Sequence, residues 1–451
     1  MTWPAGGLHT DLYEVRMAAS YLRRGMTGPA TFSLFVRRLP PGRGFPVAAG
    51  LDECLDFLEG FRFGDADLAY LGDVTGLPPA DLDALRRIRF TGDVHAVPEG
   101  RVVFPGEPLL EVTAPLPEAQ LVETALLNFT TYAGAIAGKA VRCRIAAPGA
   151  DLVDFAARRT HGPDAAFATA RATAVAGFTG TSHVASARRF GLRAVGTMAH
   201  SYIQAFPSEY AAFRAFAEDF PESAVFLVDT YDTLGGVRTA IAVARDLRLP
   251  EPAVGIRLDS GDLGRLAVAA RGLLDRSGLP RARIMASGGL DEFALATLVT
   301  AGAPIDAFGI GTKVGVSADA PFLDSAYKLV AYDGRPVLKL SAGKVSSPGA
   351  KQVFRGAPHE PDVIALRGEL CPPGREPLLV PVMRAGRRVV ADDVHAARRR
   401  LADDLDRLPG AVLRLTGPEP PAVHRSAALR RLTEDLVHRT AAAAASAMPV
   451  P

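Results

Sequence analysis

The sequence predicts an α/β fold in which an irregular (β/α) barrel stands between an N-terminal α/β domain and a small β-rich C-terminal part. The main observation is a rhythm that starts near residue 149, where short apolar runs ending in polar or glycine residues recur with helical segments between them. Their spacing approximates the roughly 30 residues of one βαβ unit. The length of 451 residues favours several domains, because it exceeds what one compact core usually organises.

The regions on either side lack this rhythm. The first mixes a strand-like run at 30–36 with helical runs at 51–58 and 120–141. Near the C-terminal side, Asp333 and Gly334 stand between two alternating runs, which is typical of a two-residue hairpin turn. A short amphipathic helix at 426–440 precedes an alanine-rich tail that we expect to fray. We therefore predict four segments, namely an N-terminal α/β domain (1–148), a (β/α) barrel catalytic domain (149–325), a β-rich part (326–420) and a helix with a frayed tail (421–451).

Six strands are predicted in the barrel segment, at 151–156, 193–197, 224–229, 253–259, 283–288 and 306–311. The segments between them have helical spacing, for instance over 263–278, which ends at a glycine as helices commonly do. In a parallel βα architecture the reactive groups lie where strands end and loops begin. We therefore expect the functional residues in the loops that follow these six strands.

Composition and charge restrict the class of protein. The formal net charge is +2 and no basic run contains interleaved aromatic residues, so a nucleic-acid partner is not expected. Cys54, Cys143 and Cys371 are far apart and odd in number, which fits neither a disulfide framework nor a zinc site with CxxC spacing. No signal-like segment opens the chain, and nowhere do about 18 uncharged apolar residues run together. We expect a soluble, cytoplasmic protein with no membrane partner.

Two glycine-rich turns follow the last two predicted strands. The first contains Ser287, Gly288 and Gly289, and the second contains Gly309 and Gly311. Bare backbone amides in such turns can approach phosphate oxygens, and the last two βα loops of barrels often bind phosphate. One such turn alone would be explained by the need for a tight bend. Two adjacent turns favour a phosphorylated ligand.

Charged residues end several other strands. Asp229 and Asp259 offer hard oxygen ligands for a Mg²⁺ ion held jointly with a diphosphate, although solvated or capping carboxylates give the same pattern. His200 is the first choice for catalysis among nine histidines, and a structural histidine is the alternative. Five of the six lysines lie between 313 and 351, which indicates either specific anion contacts or local codon usage.

Ten ordered motifs extend over most of residues 10–355. They are TDLYEVRM (10–17), FSLFVRRLP (32–40), DFAARRTHGPDAA (154–166), GFTGTSHVASA (177–187), GTMAHS (196–201), VDTYDT (228–233), IRLDSGDL (256–263), ASGGLDE (286–292), FGIGTK (308–313) and KLSAGKVSSPGAKQVFR (339–355). In this order they resemble the nicotinate phosphoribosyltransferase family. The resemblance implies a type II phosphoribosyltransferase-like fold, a homodimer with shared active sites, Mg²⁺, and conversion of nicotinate and phosphoribosyl pyrophosphate (PRPP) to nicotinate mononucleotide and pyrophosphate. It also implies coupling to ATP hydrolysis and a place in NAD salvage.

The resemblance assigns roles to single residues. His200 matches the histidine that ATP phosphorylates. Tyr13 and Phe155 match the aromatic residues that sandwich the pyridine ring, with Tyr13 reaching across the dimer interface. Further substrate contacts are implied for Thr197, Arg257, Arg158 and Ser182. Phosphate-binding parts are implied at Arg37, Ser287, Gly288, Gly289, Gly309, Gly311 and Thr312.

Ser182 separates two related activities. Nicotinamide phosphoribosyltransferases resemble this chain but have an aspartate there, which would repel nicotinate, whereas serine would not. Quinolinate phosphoribosyltransferase would need extra cations for a second carboxylate, and a catalytically silent barrel that senses nucleotides is a further alternative. Two residues depart from the family pattern, Ala156 in place of the usual glycine and His183 in place of the usual asparagine, so we expect the edges of the pocket to differ.

Overall fold

The computed structural model describes residues 6–340 and 346–446. These residues form two compact units. One unit, which we call the sheet unit, contains the chain up to Ala135 and from Phe322 onward. The other, the barrel unit, contains Ile136–Pro321.

The N-terminal part of the sheet unit contains helices and three strands. Its elements are a 3-10 helix (Gly6–Leu8), α1 (Leu12–Arg23), β1 (Pro29–Val36), α2 (Leu51–Gly60), α3 (Asp65–Thr75), α4 (Pro79–Arg87), β2 (Asp93–Ala96), β3 (Pro108–Pro115), α5 (Leu116–Leu121) and α6 (Glu123–Ala146), which continues into the barrel unit. The predicted strand at 30–36 and helix at 51–58 are confirmed. The helix predicted over 120–141 is interrupted at Val122, between α5 and α6. Pro117 lies in the first turn of α5, where its missing N–H costs little.

The barrel unit alternates strands and helices, as the recurring apolar and helical segments of its sequence predict. Its elements are β4 (Asp151–Asp154), a 3-10 helix (Ala157–Arg159), α7 (Pro163–Val175), β5 (Gly180–Thr181), α8 (Val184–Phe190), α9 (His200–Gln204), α10 (Glu209–Asp219), a 3-10 helix (Pro221–Ser223), β6 (Ala224–Leu227), α11 (Thr233–Asp246), a 3-10 helix (Glu251–Ala253), β7 (Val254–Leu258), α12 (Leu263–Arg276), β8 (Arg283–Ser287), α13 (Glu292–Thr300), β9 (Ala307–Ile310) and α14 (Thr312–Gly315).

The six strands of this unit form one parallel sheet in the order β5-β4-β9-β8-β7-β6. The first strand, β4, pairs with the last, β9, so the sheet follows the cyclic order of a barrel. Almost every residue of strands β6 to β9 is buried or nearly so, as expected for parallel strands covered by helices. The predicted α/β class with an irregular barrel is therefore confirmed.

One predicted barrel strand, at 193–197, is wrong apart from a single residue. Ala194 forms an isolated parallel bridge with Thr181, and the strand that the sequence did not predict is β5. Because β5 has only two residues, it offers the neighbouring segment one backbone partner, Thr181, which bonds to Arg193 and Val195. Within the barrel unit, all of whose residues are described, no backbone pairing joins this segment to β6, and this seam makes the barrel irregular.

The chain then returns to the sheet unit. The elements are β10 (Ser325–Tyr332), β11 (Arg335–Pro336), β12 (Lys351–Arg355), β13 (Asp362–Leu366), β14 (Glu376–Pro377), β15 (Val380–Arg384), β16 (Arg387–Arg388), α15 (Val394–Arg407), α16 (Gly410–Leu413), β17 (Val423–Arg425) and α17 (Ala427–Ser446). The predicted Asp-Gly hairpin is confirmed, with φ of 48° at Asp333 and 72° at Gly334 between β10 and β11.

Both ends of the chain contribute strands to one sheet. The seven-stranded sheet has the order β11-β10-β1-β3-β2-β15-β16 and is antiparallel throughout. The regions predicted as separate segments, 1–148 and 326–420, therefore share this sheet, and a second sheet has the order β14-β12-β13-β17. The predicted helix at 426–440 lies within α17, and residues 447–451 of the predicted frayed tail lie outside the described residues. Among the described helices, none is both long enough and apolar enough to cross a membrane.

Candidate active site at the carboxyl ends of the barrel strands

The residues predicted for the site follow successive barrel strands. Because the six strands run parallel, the loops after them open at one end of the sheet. Phe155 follows β4, Ser182 follows β5, Asp229 follows β6, Asp259 follows β7, and Ser287 ends β8. The predicted loop positions are therefore correct after β4, β6 and β7, whereas Ser287 is the last residue of β8 and Ser182 follows a strand that the sequence did not predict. Hydrogen bonds show which of these side chains contact one another.

Arg257 lies at the centre of the group. Its Nε donates to Ser287 Oγ at 2.8 Å, one terminal nitrogen donates to Thr197 Oγ1 at 3.2 Å, and the other donates to Asp259 Oδ1 at 2.8 Å. The side chain is only 12% exposed, so the guanidinium is held in one orientation. A guanidinium has five N–H groups, and two of them remain for a ligand.

Phe155 lies against this guanidinium, with Arg257 Cζ 5.3 Å from the centre of the ring. The Phe155 backbone N–H donates to the carbonyl of Ile310 at 2.8 Å, which fixes the start of the loop. A Cβ added at Gly309 would lie 2.5 Å from two carbons of the ring, so the missing side chain at this position leaves room for Phe155. The phosphate contact predicted for Gly309 stays a prediction.

Replacing Gly309 with alanine is expected to lower the free energy of unfolding by about 1–3 kcal/mol, because the added methyl group overpacks the space occupied by the Phe155 ring. Urea unfolding followed by circular dichroism measures the change. The matched control is Gly272→Ala in α12, where the added Cβ meets only the flexible end of Arg276 at 3.1 Å. Equal stability of the Gly309 variant and the wild type would contradict this packing argument.

Asp259 and Asp229 are joined by a hydrogen bond, but their carboxylate oxygens have different numbers of partners. Burial alone would raise the pKa of Asp259, but hydrogen bonds from Ser287 and Arg257 outweigh it and lower the pKa below its ordinary value. The Asp259 N–H donates to Asp229 Oδ2 at 3.1 Å, and Ser260 Oγ donates to the same oxygen at 2.6 Å. Asp229 Oδ1 is buried without a hydrogen-bond partner among the described residues. Asp229 therefore fits a cation better than Asp259 does, although no group of three or more His, Cys, Asp or Glu suited to a metal occurs in the described chain.

His200 is the first residue of α9. Its Nδ1 lies 3.1 Å from Thr230 Oγ1, a hydrogen bond that orients the ring, and its Nε2 has no hydrogen-bond partner among the described residues. Thr230 directly follows Asp229, so the histidine and the carboxylate are brought together by the loop after β6. The imidazole is thus held at one nitrogen and open at the other.

The turn after β8 requires a glycine at position 288. Gly288 has φ of 92°, and a Cβ there would lie 2.0 Å from the carbonyl oxygen of Asp259. Gly289 has φ of 64°. The Ser287 hydroxyl bonds to both Asp259 and Arg257. In the turn after β9, Gly311 precedes Thr312, the first residue of α14.

Sequence reasoning did not single out Asp154. It is 1% exposed, accepts the Ala156 N–H at 2.8 Å and the Thr181 hydroxyl at 2.7 Å, and its carbonyl accepts the Ser182 N–H at 2.8 Å. Burial raises the pKa of this carboxyl. Asp154 therefore joins the loop that contains Phe155 to the loop that contains Ser182. Its place at a strand end, directly before Phe155, was the available signal.

The two departures from the family pattern have local partners. A Cβ added at Gly315 would lie 2.6 Å from the Ala156 Cβ, so the alanine methyl faces a glycine. His183 Nδ1 lies 2.7 Å from Ser186 Oγ, and its ring contacts Phe167 edge-on. Both residues therefore have their contacts within the barrel unit, and their effect on the edge of the pocket stays a prediction. Arg158 is exposed, with no hydrogen bond or ion pair to any residue in the described part of the chain.

Tyr13 and Arg37 belong to the sheet unit. Tyr13, in α1, is 47% exposed, and burial together with Glu123 and Glu14 raises its pKa. Arg37 donates to Asp324 Oδ1 at 3.1 Å and lies beside a cavity of about 350 Å³. The cationic residues lining this cavity are Arg37, Arg38, Lys328, Lys339, Lys351 and Arg425. The sheet unit therefore has a local site suited to anions.

The ammonium of Lys351, which lines this cavity, is already bound by groups of the protein. Its ammonium donates to the carbonyls of Ser347 and Gly349 at 3.2 and 2.8 Å and pairs with Glu111 at 3.1 Å. An ammonium has three N–H groups, so these contacts use them all. Lys313 pairs with Asp291 at 2.6 Å, and Lys344 lies outside the described residues. The five lysines between 313 and 351 are therefore only partly available for binding anions.

Comparisons with known proteins agree over both units. Residues 8–131 match the nicotinate phosphoribosyltransferase N-terminal domain, and residues 150–343 match the nicotinate phosphoribosyltransferase family. A nicotinate phosphoribosyltransferase of Mycobacterium tuberculosis is 49% identical over 409 residues, covering 90% of this chain and 88% of the relative. One from Bacillus subtilis is 44% identical over 356 residues, covering 77% and 72%. The crystal structure of human nicotinic acid phosphoribosyltransferase superposes with a TM-score of 0.85 at 31% identity, covering 95% of this chain and 99% of that chain.

Proposed function

Because the chain belongs to the nicotinate phosphoribosyltransferase family, we propose that it joins nicotinate to PRPP, giving nicotinate mononucleotide and pyrophosphate. The reaction is coupled to ATP hydrolysis through a phosphohistidine at His200 and serves NAD salvage in the cytoplasm. The proposal rests mainly on Arg257, whose guanidinium is held by three side chains against the Phe155 ring at a barrel strand end.

Arg257 is suited to the nicotinate carboxylate. Three of its N–H groups are used inside the protein, and two remain to bind the anion at a position that is already fixed. Phe155 supplies an apolar face beside it for the pyridine ring. Ser182 places no charge at the position where the amide-specific relatives have an aspartate. This combination favours the acid over the amide.

PRPP is proposed to bind through the turns after β8 and β9. Gly288 and Gly289 present backbone without side chains, and Thr312 offers a hydroxyl near the second turn. Asp229, through its unpartnered Oδ1, would hold Mg²⁺ together with the diphosphate. When bound, the ion neutralises charge on the leaving diphosphate. Arg37 is proposed as a phosphate contact in the cationic cavity of the sheet unit.

The proposed reaction requires that the two substrates are positioned, more than it requires acid–base groups. A bond forms between the pyridine nitrogen and ribose C1 while the bond from C1 to the diphosphate breaks, through a state with positive charge on the ribose. Arg257 and Phe155 would orient the nitrogen. In the coupled step, His200 Nε2 attacks the γ-phosphorus of ATP, ADP leaves, and water later releases the phosphate from the histidine. As the family resemblance implies, we propose a homodimer in which Tyr13 serves the partner's site.

Turnover of nicotinate, nicotinamide and quinolinate with PRPP, each with and without ATP, tests the proposal. We expect nicotinate to be converted with kcat/KM at least about a hundredfold above that of nicotinamide, because only the acid fills the charged Arg257 contact. ATP should increase the yield of product. A preference for nicotinamide or quinolinate would overturn the choice of substrate. PRPP binding by calorimetry without turnover of any of the three would instead support a nucleotide-sensing protein.

A further inference from the structure

A buried network of charged side chains lies in the barrel unit, outside the group around Arg257. Glu292 is fully buried, with one carboxylate oxygen 2.5 Å from Lys139 Nζ and the other 2.8 Å from Arg142 Nε. Lys139, itself 3% exposed, also lies 2.9 Å from Asp319 Oδ1. Two cations therefore meet two carboxylates, which is the balance that burial of charge requires.

The acidic members of this network belong to the segments that follow the two glycine turns. Glu292 opens α13, three residues after Gly289, and Asp319 follows the short helix that begins at Thr312. Lys139, on α6, contacts both carboxylates with one ammonium. It therefore ties the segment that follows the β8 turn to the segment that follows the β9 turn.

A second tie runs between the same two segments. Lys313, next to Thr312, pairs with Asp291 at 2.6 Å, and Asp291 also caps α13 by accepting the N–H groups of Phe293 and Ala294 at 3.1 and 2.9 Å. Lys313 is 43% exposed, so water weakens this pair, whereas Lys139 is buried. The buried tie is the stronger constraint of the two.

We propose that Lys139 and Glu292 are positioning residues that hold the two glycine turns at the spacing needed to bind the phosphate groups of PRPP. Both side chains are buried, so in this proposal they do not contact the substrate and act through the loops that they join. The inference rests on the proposed function, since it assigns PRPP to these turns. It adds a role for buried residues that have no part in the proposed chemistry.

The test compares wild type with Lys139→Met, which keeps the apolar stem and removes the ammonium. Two readouts are used, the KM values for PRPP and nicotinate, and hydrogen–deuterium exchange of backbone amides in 286–292 and 309–315. We expect the KM for PRPP to rise about tenfold or more with the KM for nicotinate within about twofold, and exchange in both turns to speed up about tenfold. Lys139→Arg, which retains a charge, should recover most of the PRPP affinity.

The control is Arg101→Met in the sheet unit. Arg101 is also largely buried and pairs with Asp404 at 3.0 Å and Glu376 at 2.6 Å. The Arg101→Met substitution should lower the melting temperature while leaving the KM for PRPP and the exchange in the two turns unchanged. If Lys139→Met fails to fold, Glu292→Gln, which is nearly isosteric, provides the same comparison.

The outcomes separate the two proposals. The positioning role is overturned if the wild type turns over nicotinate and both network variants, Lys139→Met and Glu292→Gln, keep the wild-type KM for PRPP and the wild-type exchange rates in the two turns. A rise in both KM values together, without faster exchange in the turns, also overturns it. Absence of turnover in the wild type refutes the proposed function, and the exchange measurement still decides whether the network orders the turns.

Discussion

Replacing His200 with alanine is expected to abolish the stimulation of nicotinate mononucleotide formation by ATP and to lower kcat in the presence of ATP by about 10²- to 10³-fold. The reason is geometric. Thr230 engages Nδ1 at 3.1 Å, and Nε2 is left without a partner among the described residues, so one nitrogen is oriented and the other can attack phosphorus. Initial rates with and without ATP measure the effect, and alkaline-stable phosphohistidine on the wild type identifies the intermediate.

His395→Ala is the matched control for this variant. His395 is an exposed histidine in the sheet unit, so its removal should leave ATP stimulation and phosphohistidine formation as in the wild type. Retention of full ATP stimulation by the His200 variant would exclude the phosphohistidine. Labelling that persists in the His200 variant would assign the phosphate to another residue.

Arg257→Lys is expected to lower kcat/KM for nicotinate by about 10²- to 10³-fold and to remove most of the preference over nicotinamide. A lysine keeps one charge but cannot bind Ser287, Thr197 and Asp259 together while still presenting two N–H groups to a carboxylate. Breaking such a partly buried charged contact costs about 3–4 kcal/mol, which corresponds to this loss. Steady-state kinetics with both substrates measure the change.

Arg271→Lys provides a control within the same unit. Arg271 is also partly buried and donates to Asp275 and to the carbonyls of Leu279 and Ala282, so the same substitution should affect stability and leave the choice of substrate unaltered. If the Arg257 variant kept the wild-type preference for nicotinate, another residue would have to recognise the carboxylate.

The sequence predicted the positions of the site residues better than their contacts. Apolar runs ending at Asp154, Leu258 or Ser287 are readable because parallel strands are buried along most of their length, and their ends must then meet at one mouth. The segment at 193–197 was also predicted as a strand but forms only one bridge, since the length of its neighbour β5 is not visible in the pattern of its own residues.

Contacts between distant side chains were beyond prediction. On the sequence alone, Asp154 and Lys351 could equally well contact a ligand, yet each is buried and bonded to nearby groups of the protein. The sequence indicated a phosphate turn at Gly309, which stays a prediction, but it gave no sign that the Phe155 ring lies against this glycine. Which partner satisfies a polar group depends on burial, and burial depends on the complete fold.

The seven-stranded sheet has a consequence for the order in which the chain folds during synthesis. Strand β1 pairs with β10, as in Phe32 opposite Leu329, and β2 pairs with β15, so the entire barrel unit is made before either pairing is possible. The barrel unit is continuous in sequence and can acquire its structure first, whereas β1, β3 and β2 can pair with one another but leave the outer edges of β1 and β2 open until β10 and β15 are made. Such distant pairings form slowly because a long loop has to close, and in the interval the open edges of β1 and β2 are templates for pairing with another chain.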